Sequence, residues 1–280
     1  MADSDSSGDP DRPLLIAAAY EFMEDRALRL GAGLAYYGLI TLAPMLILLL
    51  GLAGLLVGEE AANGQLVGTL EQWFGSDVAL AFSEMVVAAD VAGSFANLTV
   101  GSLILLLVAA SILFVAWKDA LDVIWDVGYR TGLKATLVKR LFGFASVGAL
   151  AALLVAILVA ETLLTMVSGF LSEDALIDTA FGIATSVVPV VLGALLLGAA
   201  YRYGTDGKVP WRTVWPGTIL TMVLLIVLAA GYGAYIAVSG TSITGVASSL
   251  ILLIVLIYLM AQVLLYGAEV IKMQFLRSQS

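Results

Sequence analysis

The stretch YRYGTDGKVPWRTVWPG, residues 201–217, lies between two long apolar runs. Aromatic and basic side chains mixed with glycine and proline suit a nucleic-acid contact, and they equally suit a bend between two membrane helices. The flanking runs decide between these readings. Each exceeds the roughly 18 apolar residues that separate a membrane span from a buried core helix, because about 20 helical residues cross a hydrocarbon core of about 30 Å. Tyr201 and Tyr203 then read as the headgroup-level end of one span, and Trp211 and Trp215 as anchors of the next. Gly204 and Asp206-Gly207 permit the reversal, Pro210 sets an extended approach, and Pro216 falls in the first turns of the following helix, where a missing N–H matters little.

The rest of the chain agrees. Of 280 residues, 61% are hydrophobic and 12% charged, with a mean hydropathy of +1.03. A soluble domain carries about one-quarter charged residues. The net charge of −9 argues against phosphate recognition, which needs a basic footprint. There is no cysteine and no histidine, so thiolate chemistry is excluded, and hydrolase or metal-enzyme readings lose their commonest acid/base group and ligand. The polar, acidic start MADSDSSGDPDRP reads as a disordered cytosolic tail.

The apolar runs predict an all-α polytopic membrane protein with six transmembrane helices, at about 31–57, 97–117, 140–168, 180–203, 212–238 and 244–270. Residues 1–30 form an N-terminal tail and pre-helix, 31–270 the membrane domain, and 271–280 a C-terminal tail. Six spans put both termini on one side. All 13 Lys and Arg residues fall on that side, whereas the opposite connections, about 58–96, 169–179 and 239–243, hold none. Because cytoplasmic loops retain Lys and Arg, both termini are expected in the cytoplasm of a cell-membrane protein. Short amphipathic interfacial helices are expected in two places. One is the outer connection, where Leu66, Leu70, Trp73 and Phe74 recur at helical spacing, followed by Phe82, Met85 and Val86. The other is WKDALDVIWDVGYR, where Trp117, Leu121, Ile124 and Trp125 share a face.

ALRLGAGLAYYGLITLAPMLILL (27–49), DALDVIW (119–125), YRYGTDGKVPWRTVWPG (201–217) and LLYGAEV (264–270) together resemble the YihY/BrkB family of inner-membrane proteins. The resemblance implies a six-span helical protein. Some members were once labelled ribonuclease BN, and others have been linked to serum resistance or to lipid movement. Tyr36, Tyr37, Trp125, Arg202, Pro210, Trp211, Pro216, Gly217 and Glu269 match its motifs and are expected to be structural. The chain departs from the family at Asp122, where Asn is common, at Gly204-Thr205, where Leu-Pro is common, and at Ser242–Gly245, which replaces Tyr-Gly-Ser-Leu.

The nuclease label lacks chemistry in this chain. Asp119, Asp122 and Asp126 complete the solvated face of an amphipathic helix, and no metal, cofactor or nucleic-acid partner is expected. A transporter or lipid-handling protein is expected rather than an enzyme, with a non-transporting scaffold as the alternative. Pro44 and Pro189, in Thr41-Leu-Ala-Pro44 and Ser186-Val-Val-Pro189, each lie near the middle of the first helix of a three-span half. Two inverted halves with interrupted helices around a midplane site would show this pattern. A polar cleft lined by Thr41, Pro44, Glu161, Ser186, Pro189 and Gln262 is therefore the expected path for an amphiphile or small solute, with membrane lipids as partners. Glu161 lies about 20 residues beyond Arg140 and approaches the outer interface. Gln262 suits an interhelical hydrogen bond, and Glu269 a local ion pair with Lys272.

Overall fold

In lipid, a segment must satisfy its backbone amides and carbonyls internally, so each long apolar run becomes a helix. The computed structural model describes residues 12–57, 64, 68, 80, 100–127, 133–171, 175–205, 209–239 and 246–279. Among the described residues there are seven helices and no strand: α1 Leu14–Glu24, α2 Ala27–Val57, α3 Val100–Ile124, α4 Leu133–Leu171, α5 Ala175–Gly204, α6 Trp211–Ser239 and α7 Val246–Arg277. Four of these contain described stretches long and apolar enough to cross a membrane, namely Thr136–Leu153, Val187–Gly204, Trp211–Tyr235 and Ile251–Arg277. Six spans, the number expected from the sequence, would add α2 and α3. The outer connection with its two expected amphipathic helices lies outside the described residues, apart from isolated positions.

Helices α2 to α7 each pack against the next in sequence, and α7 returns to α2, so the six close into a ring. Helix α1 lies outside it against α7 and α2. The polarity along α6 is that of a helix in lipid. Ile219, Val223, Ile226 and Val227 are exposed, while Thr213, Thr218 and Thr221 are buried. The buried hydroxyls are engaged within the helix, Thr218 donating to the Val214 carbonyl (2.9 Å) and Thr221 to the Gly217 carbonyl (2.7 Å). With hydrocarbon outside, apolar side chains gain nothing by turning inward, and polar ones must turn inward or bond locally.

Close approach between α6 and α7 depends on two glycines. A Cβ on Gly217 would stand 2.3 Å from Ile271 Cγ1, and one on Gly267 would stand 1.8 Å from Thr221 Oγ1 and 2.7 Å from the Tyr201 hydroxyl. Small residues are used here to bring backbones together, which maximises dispersion contacts where no water-driven effect operates.

Charged groups gather at one end of the bundle, where α3, α5 and α7 finish and α2, α4 and α6 begin. Lys118 of α3 donates to the Gly204 carbonyl at the end of α5 (2.9 Å). Lys139 of α4 pairs with Asp119 and with Asp122, the latter at 3.3 Å. The Arg202 guanidinium stacks 5.0 Å above the Trp211 ring, closing the hairpin between α5 and α6. Helix α1 is fixed to α7 by Ala17 and Ala18 packing on Val270 and Met273, and by Tyr266 donating to the Leu15 carbonyl (3.0 Å). Arg26 and Asp126 take positive φ values of 54° and 50° at the ends of α1 and α3, the left-handed conformation that stops a helix.

Three sequence expectations change. Helix α7 continues to Arg277, past residue 270, because Ile271 and Met273 are buried against neighbouring helices rather than leading into a free tail. The segment read as an interfacial helix is the continuous end of α3, and its Trp117, Leu121 and Ile124 face is buried in protein. Tyr201 is not a surface anchor: it is 1% exposed, whereas Tyr203 is 60% exposed. Two residues apart on a helix, the pair points in nearly opposite directions.

Gly267→Ala is expected to destabilise the protein by about 1–3 kcal/mol, the range for overpacking a tight contact. The control is Gly233→Ala, also in a helix but with nothing within 4 Å of the new Cβ. It is expected to leave the protein unchanged or about 0.4–1 kcal/mol more stable. Thermal unfolding of both variants in detergent, compared with wild type, checks the difference.

Candidate functional site

Where α2, α3, α4, α5 and α7 face one another, the inward positions include Gly38, Ala145, Ala149, Gly193, Ala200 and Ala261. Residues this small cannot fill the space between five helices, and a cavity of about 580 Å³ remains. Larger apolar residues complete its walls: Leu34, Leu113, Phe114, Trp117, Phe142, Leu196, Leu197, Ile257, Met260 and Leu264. Polar groups are few. The Ser146 hydroxyl donates to its own helix at the Phe142 carbonyl (2.8 Å), and the Trp117 indole N–H is buried with no partner among the described residues. Tyr203, on the exposed rim, supplies a hydroxyl. The described residues that line this cavity are therefore almost all apolar.

Charge lies immediately beside it. Lys118, which follows Trp117, is 4% exposed and reaches the Gly204 carbonyl, Asp122 (3.3 Å) and the face of Phe142 (5.8 Å to the ring centre). The ammonium complements the negative end of α5. A second hollow of about 460 Å³ is bordered by Arg29, Tyr37, Asp119, Asp122, Lys139 and Arg140, and Leu34 borders both spaces. An apolar cavity thus adjoins a hollow lined by charge.

Of the expected path residues, Thr41, Pro44, Pro189 and Gln262 are described, and none of these four lines the cavity. Thr41 is 1% exposed, and its hydroxyl bonds to the Tyr37 (2.8 Å) and Gly38 (3.3 Å) carbonyls of its own helix. Helices α2 and α5 run through Pro44 and Pro189 without interruption, and both prolines are half-buried, so the expected breaks do not form. A membrane helix absorbs a proline when neighbouring groups re-satisfy the backbone. Gln262 lies over Gly31 and donates to the Leu28 carbonyl at 3.4 Å, the interhelical contact expected of it. The Glu161 and Ser186 side chains lie outside the described residues.

Among the motif residues, Tyr36 and Tyr37 pack edge to face at the surface with ring centres 5.6 Å apart, and Trp125 sits 5.6 Å from Phe275. The Pro210 carbonyl accepts the Thr213 amide (3.0 Å) and starts α6, Trp211 lies 6.0 Å from Trp215, and Pro216 is exposed. Gly204 suits its place because a Cβ there would stand 2.3 Å from Leu121 Cδ1. Glu269 is not paired with Lys272; the ammonium bonds to Glu21, Asp25 and Asp126 instead, each at 3.2 Å.

Sequence reading missed Trp117, Lys118 and Tyr201 as organisers of this region. Their only signal was proximity to an aromatic and basic boundary, which equally suits an interfacial anchor. Lys118→Met is expected to destabilise the protein by about 1.5–3 kcal/mol, the range for hydrogen bonds made by a charged group. Asp122 keeps Lys139 as a partner, so no new unpaired charge arises. Chemical denaturation in detergent micelles, with Lys118→Arg as the charge-retaining comparison, measures the loss.

Comparison with known proteins reaches almost the whole chain. Residues 18–277 match the family described as Virulence factor BrkB. A UPF0761 membrane protein of Stenotrophomonas maltophilia (strain R551-3) is 25% identical over 252 residues, covering 89% of this chain. The matched region is 58% of that protein's length. No solved structure matches. Spanning helices with lipid-type polarity and a family match across nearly their full extent agree, and the chain belongs to the BrkB family of membrane proteins.

Proposed function

We propose that this protein handles lipids or other single-chain amphiphiles, drawing the apolar chain into the cavity between α2, α3, α4, α5 and α7. The cavity itself carries the reading. Its volume of about 580 Å³ lies in the range of about 300–1,000 Å³ usual for small-molecule sites, and its walls are almost wholly apolar. A polar solute entering it would lose its hydration without finding hydrogen-bond partners. An acyl chain loses nothing of the kind and gains dispersion contacts. The adjoining hollow supplies Arg29 and Arg140, beside a Lys139 already paired with Asp119 and Asp122, and the two guanidinium groups suit an anionic headgroup.

In this reading the chain is a six-span protein of the cell membrane with both termini in the cytoplasm. Support comes from the one-sided distribution of Lys and Arg and from the ion pairs that tie the matching ends of the helices together. The headgroup-facing charges then lie at the cytoplasmic leaflet, with the apolar cavity extending towards the membrane interior.

Filling the cavity tests the function. Ala145→Phe and Ala200→Phe are expected to abolish photo-crosslinking of a diazirine-bearing phospholipid to the cavity helices. Both are also expected to slow its movement between leaflets of reconstituted vesicles at least tenfold. Labelling without leaflet exchange in wild type would turn the reading to a lipid-organising scaffold; neither labelling nor exchange would refute it. The topology is tested separately, and the natural absence of cysteine makes that simple. On intact cells a membrane-impermeant maleimide is expected to label Ser242→Cys and Glu173→Cys, and to spare Lys208→Cys and Ser278→Cys until the membrane is opened.

A further inference from the structure

At the charged end of the bundle, away from the cavity, α1 and α7 bring together residues almost 250 positions apart. Glu269 is fully buried, and neither of its carboxylate oxygens meets an N–H or hydroxyl donor among the described residues; the group within hydrogen-bonding reach is another carboxyl, that of Asp25. The groups whose charge bears on it are Lys272, Asp25 and Glu21. Glu21, Asp25 and Glu269 each present an oxygen within 4.8 Å of the others. Lys272 is the cation at hand, but its ammonium is directed to Glu21 Oε2, Asp25 Oδ2 and Asp126 Oδ2. One ammonium therefore serves three carboxylates and leaves the fourth, the most deeply buried, without a bonded counter-charge.

We infer that Glu269, Asp25 and Glu21 form a binding site for a hard divalent cation, of which Ca²⁺ fits the spacing. The oxygens not engaged by Lys272 are both of Glu269, Oε1 of Glu21 and Oδ1 of Asp25, an all-oxygen set of the kind such ions select. Oxygens each 2.3–2.6 Å from one ion lie at most about 5 Å apart, which the observed spacing satisfies. A proton shared between Asp25 and Glu269 is the competing occupant. It would engage one Glu269 oxygen and leave the other buried without a donor, whereas a cation engages both. Glu21 and Asp25 keep 15% and 17% exposure, which gives an ion a route in from solvent. Occupancy would fasten α1 to α7 and strengthen the closure of the ring. The site is distinct from the cavity, since none of these residues lines it.

The test uses the full-length protein in detergent, stripped of metal with chelator and titrated with CaCl₂ or MgCl₂ at constant ionic strength. Radioactive ⁴⁵Ca²⁺ is expected to bind wild type at about one ion per chain. Saturating Ca²⁺ is expected to raise the unfolding temperature by about 3 °C or more, through preferential binding to the folded state. Glu269→Gln, which keeps shape and removes charge, and Asp25→Asn are expected to lose both responses. Absence of ⁴⁵Ca²⁺ binding together with no response to Mg²⁺ in wild type overturns the inference, as does an unchanged response in Glu269→Gln. If either variant fails to fold, the wild-type binding measurement alone decides. Lipid exchange through the cavity does not enter these readouts, so failure here leaves that proposal standing.

Discussion

The Tyr201 hydroxyl donates to the Leu264 carbonyl at 2.7 Å and lies 3.2 Å from the Thr221 hydroxyl, and this junction of α5, α6 and α7 sets the geometry of the rest. It exists because Gly267 has no side chain. Any Cβ at that position would overlap Thr221 and crowd Tyr201, and α6 and α7 would have to move apart. Around the junction the Trp117 ring lies 5.7 Å from that of Tyr201, so α3 is tied in as well. Four helices thus meet through one buried phenol, and its bond is strong where it stands because no water competes for either partner.

Away from that tight junction, small residues have a different effect. Gly267 and Gly217 meet a facing helix directly, and the space closes. Gly193, Ala145 and Ala200 face an interior shared by five helices, and the space stays open. The same residue types produce a seam in one place and a cavity in another, according to how many helices converge on them. Charge is handled by concentration. Lys118 and Lys272 are buried but serve several acceptors from different helices, so each cation cross-links the bundle as well as being neutralised.

The helical, membrane-spanning character of the chain was legible in the sequence because it depends on quantities additive along it: the length of an apolar run and the count of charges between runs. The hairpin at 201–217 was legible for the same reason, its turn and anchor residues lying within one short stretch. Tyr201 and Tyr203 show where that reading stopped. Both are tyrosines at a span end, yet one is buried at the helix junction and the other is exposed, because the direction of each side chain depends on where α6 and α7 stand. The prolines at 44 and 189 looked like breaks, but α2 and α5 continue through them.

Composition and the spacing of apolar runs determined by themselves that this is an all-helical membrane protein, and the BrkB family match agrees with its motifs. Tertiary structure alone decided that the cavity shared by five helices has apolar walls, and that Glu269 faces Glu21 and Asp25 while Lys272 bonds to those two and to Asp126 rather than to Glu269. The physical reason is separation along the chain. Hydropathy and topology are sums over neighbours in sequence, whereas a cavity or a charge cluster arises from residues as much as 248 positions apart, brought together by the packing of helices that are individually almost uniform in polarity.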